Sequence, residues 1–293
     1  HQPTLSCRIQ ADCPSEFMEA VAELVSTGSG FPAIHSDRVG YQMLRNLGYE
    51  ADDAKNWNNC GCVVPHSGKT FEWTSSCNIS FTAALEFALN EGRSRLTGKK
   101  VALDEKDPKT FSTYEEIKEA YFRQFSYMVK HGVISLITAQ EINQQKAPRP
   151  FLSACNEYCL KNGADLVDGG AKYNIGPVFT GCGLAVTANS LAVIKKLVFE
   201  EKVTTMNELI DALNANWEGF EEIRFIISND NEKYGNNEDG PDEILKAVTK
   251  HLADKYAKAV QERFYEDSLT QSSFSKDMDA EFIGVKTVKY YEV

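Results

Sequence analysis

Two thiols separated by one glycine, Cys60-Gly61-Cys62, open the stretch of the chain best suited to chemistry, and Val63-Val64-Pro65-His66-Ser67-Gly68-Lys69 follow directly. Pro65 and the glycines limit regular structure. The segment therefore reads as a short polar loop between two helical patterns, where a rigid scaffold presents side chains to a cavity. A thiol on such a loop is a nucleophile once its thiolate is favoured. His66 lies four residues beyond Cys62, and imidazole titrates near neutral pH. A thiol enzyme using Cys62 and His66, such as an acyl transferase, is one reading of the pair. His66 as an ordinary loop histidine is another.

The remaining reactive residues read more plainly. Cys155 and Cys159 stand four apart on a helical pattern and are expected to share a face. No cysteine spacing matches a common zinc or iron–sulfur ligand set, so no metal is expected. Cys7, Cys13, Cys77, Cys155, Cys159 and Cys182 are expected to be small buried hydrophobes. Gly169, Gly170 and Gly176 lack the lysine and hydroxyl of a phosphate loop. The acidic run Asp230, Glu232, Glu238, Asp239 and Asp242 fails the calcium-loop spacing and reads as a solvated loop.

The elements that position the thiol loop follow from periodicity and punctuation. Thr4–Gln10 alternates as a strand. A helix opens at Pro14-Ser15-Glu16-Phe17, with Phe17, Val21, Leu24 and Val25 as its stripe. Ala33-Ile34-His35 reads as a short buried strand before a helix over Asp37–Asn46, which Gly48 ends. After the loop, helices are expected over Asn78–Glu91, Thr113–Val129, Ser135–Gln144 and Leu152–Lys161. Further helices are expected over Ser190–Glu201, from Thr205 through Trp217, and over Asp242–Tyr265. Ser112-Thr113-Tyr114-Glu115 and Thr205-Met206-Asn207-Glu208 read as capping boxes. Ser228–Gly240 is a loop by composition. Many helices with short strands between them define an α/β layout.

Collinear stretches carry a resemblance to a known family. They include Trp57 to Trp73, Gly30-Phe31-Pro32-Ala33-Ile34 with Asp37, and Pro150-Phe151-Leu152-Ser153. Asp168-Gly169-Gly170-Ala171-Lys172-Tyr173-Asn174, Ala188-Asn189-Ser190-Leu191, Asn216-Trp217-Glu218-Gly219 and Lys233-Tyr234-Gly235-Asn236 continue it. Together they resemble the glycyl radical enzymes of the pyruvate formate-lyase-like superfamily. The resemblance implies part of an α/β barrel: a half-barrel with surrounding helices over residues 1–267, a cysteine loop inside it, and a divergent segment over 268–293. It implies Cys62 as the cysteine that becomes a thiyl radical, with Cys60 as the second candidate and His66 as the acid–base candidate. His35, Asp37, Tyr173 and Asn174 are implied as cavity-lining, substrate-binding residues.

The same resemblance implies radical cleavage of a C–C or C–heteroatom bond of a small metabolite, with lyase or formate C-acetyltransferase-like chemistry under anaerobic conditions. No cofactor is expected to be bound. The glycyl radical would be installed by a separate activase that uses S-adenosylmethionine and an iron–sulfur cluster, and the full enzyme is expected to be a homodimer. Two departures shape the expectation. Val64 stands where many family dehydratases, decarboxylases and lyases carry Glu, and its apolar side chain can be neither base nor hydrogen-bond partner. Nothing near Gly284 matches the family's Arg-Val-x-Gly-Tyr-like radical motif. The sequence therefore reads as an internal piece of a longer enzyme or one part of a split one, completed by a second chain with the radical glycine, or as an inactive homologue that serves as a binding subunit.

Bulk properties narrow the setting. The formal net charge of −11 argues against nucleic acid and anionic membrane as partners. No apolar run approaches the ~18 residues of a membrane span. With no secretory pattern, the eight cysteines point to a reducing cytoplasmic setting.

Overall fold

The computed structural model describes residues 5–60, 64–67, 70–71, 76–174, 178–230 and 232–269; the side chains at 60, 64, 70, 71, 76, 178, 257 and 260–269 are excepted. The elements in chain order are β1 (Ser6–Ile9), α1 (Ser15–Ser26), β2 (Ala33–Ser36), α2 (Asp37–Asn46), α3 (Ala51–Lys55), β3 (Asn58–Cys60), β4 (Val64–His66) and β5 (Thr70–Phe71). Next come β6 (Ser76–Ser80), α4 (Phe81–Ala88), α5 (Tyr114–Lys146), α6 (Pro150–Ser153), α7 (Glu157–Asn162), β7 (Tyr173–Asn174) and β8 (Val178–Cys182). The last helices are α8 (Leu184–Ile194), α9 (Met206–Asn214), α10 (Glu221–Asn229) and α11 (Asp239–Leu269). The architecture is mixed α/β and mostly helical. Among the described residues the strands form four two-stranded pairs. No helix there is long and apolar enough to cross a membrane.

The chain divides into two compact units. Unit one draws its described residues from His1–Ser75 and Ile137–Val178, and unit two from Ser76–Leu136 and Phe179–Ser272. In unit one, β1 and β2 are parallel with Arg8 opposite His35, β3 and β4 form an antiparallel hairpin, and β5 runs parallel to β7. The core of this unit is Leu44, Tyr49, Ala54 and Trp57, with Tyr173 packed against it. A second small core joins Cys159, Leu166, Val167 and Ala171.

In unit two, α5 buries Ile117, Tyr121, Phe125, Val129 and Val133 completely. That four-residue step is the apolar stripe of an amphipathic helix. The two helical stretches expected over Thr113–Val129 and Ser135–Gln144 are one helix, and α5 runs unbroken for 33 residues. Gly132 is the reason: a Cβ there would stand 2.6 Å from the Phe179 ring, so this glycine makes room for packing and does not end the helix. Fully buried Gln124 pins the preceding segment to α5, its amide donating to the Leu103 carbonyl at 2.9 Å and accepting from the Leu103 amide at 3.1 Å.

Other boundaries shift for local reasons. The box at the head of α5 is Thr113 with Glu116, one residue later than expected, because Glu116 accepts from the Thr113 and Ser112 amides. Thr205 and Glu208 form the expected box, but α9 ends at Asn214 and does not reach Trp217. Ser80 caps α4, so residues 78–80 belong to β6. Two expectations for α1 and β2 are corrected: Phe17, Leu24, Val25 and Ile34 are exposed.

The helix expected over Leu152–Lys161 is two helices. The Asn156 side chain accepts from the amides of Tyr158 and Cys159, and a side-chain cap at that point starts a new helix. Cys155 therefore does not share a helical face with Cys159. Cys155 and Cys182 are exposed, Cys7, Cys13 and Cys77 are half-buried, and only Cys159 of the six is buried. The acidic loop is shorter than its composition indicates, since α10 extends through Asn229.

Candidate functional site

The hairpin of β3 and β4 carries the thiol loop. Its register pairs Asn58 with His66, Asn59 with Pro65 and Cys60 with Val64, so residues 61–63 connect the two strands. Gly61, Cys62 and Val63 themselves lie outside the described residues, and for Cys60 and Val64 only the backbone is described. Opposed residues of an antiparallel pair share a face and successive pairs alternate. Asn58 and His66 thus occupy one face of the hairpin, Asn59 and Pro65 the other. His66 is half-buried.

Trp57 anchors the base of this hairpin. It is 1% exposed, and its indole N–H donates to Asp37 Oδ1 at 3.1 Å. Arg8 donates from Nε to the same Asp37 oxygen at 2.6 Å and from Nη2 to the Lys55 carbonyl at 3.1 Å, with its guanidinium carbon 4.5 Å from the Trp57 ring centre. Asp37 follows the N-cap residue Ser36 as the first residue of α2, where a carboxylate also suits the helix dipole. His35 meets the Trp57 ring edge-on at 6.1 Å. Its Nε2 is buried and has no hydrogen-bond partner among the described residues.

Tyr173 approaches the same core from β7. Its ring stacks on Tyr49 at 3.9 Å, its hydroxyl donates to Asp53 Oδ2 at 2.7 Å, and it accepts from the Glu50 amide at 3.0 Å. Burial raises the Tyr173 phenol above its ordinary pKa. Lys172 Nζ lies 2.7 Å from both Asp53 and Glu50. Hydrogen bonding to Asp53, then to Glu50, holds this ammonium well above the usual lysine range. Asn174 donates to the carbonyls of Gly169 and Ala171, at 3.1 and 2.9 Å, while its Oδ1 is buried without a partner among the described residues.

His35 and Asp37 therefore meet at Trp57, Tyr173 packs on the core that contains it, and Asn174 follows Tyr173 in β7. A cleft of about 840 Å³ opens where β1 and β2 end and α2 begins, lined by Asp37, Arg38, Tyr41, Asp52, Lys55 and Ile34 among others. Of the nominated residues whose side chains are described, Asp37 alone lines it. Arg8, Asp53, Trp57, Asn59 and Lys172 were not nominated. Trp57, Asn59 and Lys172 fall inside stretches that carried the resemblance, which was the one available signal. Among the described residues, no group of three or more His, Cys, Asp or Glu side chains is placed to hold a metal ion.

Fold and sequence together define a member of the glycyl radical enzymes. Residues 1–278 match the family described as pyruvate formate lyase-like, and the chain belongs to that family. The chain is 31% identical over 247 residues to trans-4-hydroxy-L-proline dehydratase of Clostridioides difficile, covering 84% of this chain and 31% of the relative. It is 32% identical over 254 residues to an isethionate sulfite-lyase of Oleidesulfovibrio alaskensis, covering 85% and 30%. The glycerol-bound B12-independent glycerol dehydratase from Clostridium butyricum superposes with a TM-score of 0.74 at 33% identity, over 88% of this chain and 32% of that one. The chain spans about a third of the length of these relatives.

Proposed function

We propose that this chain is the thiyl-bearing portion of a glycyl radical enzyme that breaks a C–heteroatom bond of a small polar metabolite, with Cys62 taking the substrate hydrogen. The observation that carries the reading is the β3–β4 hairpin, whose register leaves Gly61-Cys62-Val63 as its connection, in a chain that matches the family over residues 1–278. The parallel pairings of β1 with β2 and β5 with β7 are the kind from which α/β barrels are built. They support the paired segments between Ser6 and Asn174 as part of such a barrel. Relatives named as dehydratases and as a sulfite-lyase favour C–O or C–S cleavage over acyl transfer to coenzyme A.

In this reading Cys60 stands by Cys62, His66 supplies or accepts a proton, and His35, Asp37, Tyr173 and Asn174 border the substrate. The radical comes from a glycine installed by an S-adenosylmethionine activase, in the same polypeptide or in a second chain. The test is anaerobic activation of the native protein, with any co-purifying chain, followed by electron paramagnetic resonance. A glycyl doublet and turnover that vanishes in Cys62→Ala support the assignment. Absence of the doublet in the native assembly overturns it, and turnover surviving both Cys62→Ala and Cys60→Ala overturns the thiol assignment.

A further inference from the structure

Asn59 is the one side chain among the described residues with two buried polar atoms that lack partners: neither Nδ2 nor Oδ1 makes a hydrogen bond. A buried amide left this way is destabilising, and such a group in a native fold calls for an explanation. Local structure offers none. Asn59 is the middle residue of β3, and its opposite number is Pro65, which has neither an N–H nor a polar side chain to offer. The amide sits on the face of the hairpin away from the Asn58–His66 pair. Trp57, two residues earlier, is edged by His35, whose Nε2 is also buried and unpaired. Tyr173 packs against the core that contains Trp57, and the next residue, Asn174, holds a buried, unpaired Oδ1. Three of the side chains in this unit, Asn59, His35 and Asn174, thus hold buried polar atoms with no hydrogen-bond partner among the described residues.

We propose that Asn59 is a substrate-binding residue whose carboxamide holds a neutral group able both to donate and to accept hydrogen bonds, a hydroxyl above all. A carboxamide presents both functions from adjacent atoms and carries no charge to balance, so it fits a hydroxyl better than a sulfonate or an ammonium. Val64 on the opposite strand brings no carboxylate to this hairpin, and of the two β3 carboxamides it is that of Asn59 that is buried without a hydrogen bond among the described residues. The inference rests on the reading of the chain as a glycyl radical enzyme and names the substrate feature that this site selects.

Calorimetric titration of the native protein with glycerol and with trans-4-hydroxy-L-proline, alongside thermal melts, tests it. Asn59→Leu removes both unpaired atoms at nearly constant volume. Its ligand-free melting temperature is expected to equal or exceed the native value, while affinity for the bound probe falls at least about tenfold. Asn59→Ser, which keeps a short donor and acceptor, is expected to recover part of that affinity, and it serves in the same role if the leucine variant does not fold. Unchanged affinity in both variants overturns the proposal. So does a lower ligand-free melting temperature in Asn59→Leu, which would make the amide a structural group. Binding of neither probe by the native protein overturns the ligand class. A glycyl doublet in the activated native protein alongside any of these failures leaves the enzyme reading intact, so the two claims fail separately.

Discussion

Lys172 Nζ lies 2.7 Å from Asp53 Oδ2, joining the residue before β7 to α3 across 119 positions of sequence. Asp53 is 6% exposed and takes the Tyr173 hydroxyl at 2.7 Å on the same oxygen. Removing the cation leaves a buried carboxylate with less compensation, which is the costly way to break such a pair. Lys172→Met is expected to lower the melting temperature by more than about 5 °C. Adding Asp53→Leu is expected to recover part of the loss, because an apolar pair no longer pays for desolvation. A double variant that melts below both singles would show that the two changes act independently.

Trp57 and Gly40 form a second test of packing. A Cβ on Gly40 would stand 2.4 Å from two carbons of the Trp57 ring, so the glycine exists to admit the indole. Gly40→Ala is expected to cost ~1–3 kcal/mol by overpacking, and Trp57→Ala ~3–5 kcal/mol, both read from denaturant unfolding. Trp57→Phe frees space next to residue 40. The Gly40→Ala penalty should therefore shrink in that background, and an unchanged penalty would count against this contact.

His251 gives unit two a pH dependence. Its Nε2 lies 2.8 Å from Ser126 Oγ, and its ring stacks on Phe122 at 4.2 Å. The Ser126 hydroxyl donates to the Phe122 carbonyl at 2.6 Å, so its oxygen accepts from a protonated Nε2. Burial, then the charge of Lys255, pushes the His251 pKa below the ordinary 6.5. The unfolded chain therefore binds this proton more readily than the folded one. The contribution is complete above the unfolded value and is lost as pH falls through 6.5 and the lower folded pKa. Melting temperatures from pH 7.5 down to 5 should show this fall in the native protein and a shallower one in His251→Gln. Equal slopes would refute the assignment.

Much of this was legible in the chain. The order of helices, the Thr205–Glu208 box and the family followed from periodicity, capping residues and collinear stretches, all of which act over a few residues. What was misread was also local, but decided by contacts elsewhere. Cys155 and Cys159 have helical spacing, yet Asn156 restarts the helix between them. The stripe of α1 has a core pattern, yet Phe17 and Leu24 are exposed.

The sequence alone determined the family, the mixed α/β class and the nomination of Cys62, because each is written in residue types at short spacing. It also named His35, Asp37, Tyr173 and Asn174 through the same stretches. Only the tertiary structure decided how these meet. Trp57 draws Arg8, His35 and Asp37 together, Lys172 reaches Asp53 over 119 positions, and the amide of Asn59 is left buried without a partner among the described residues. Such facts depend on which distant groups fill the space around a side chain. Burial and hydrogen-bond satisfaction are properties of that surrounding shell and leave no periodic trace along the chain.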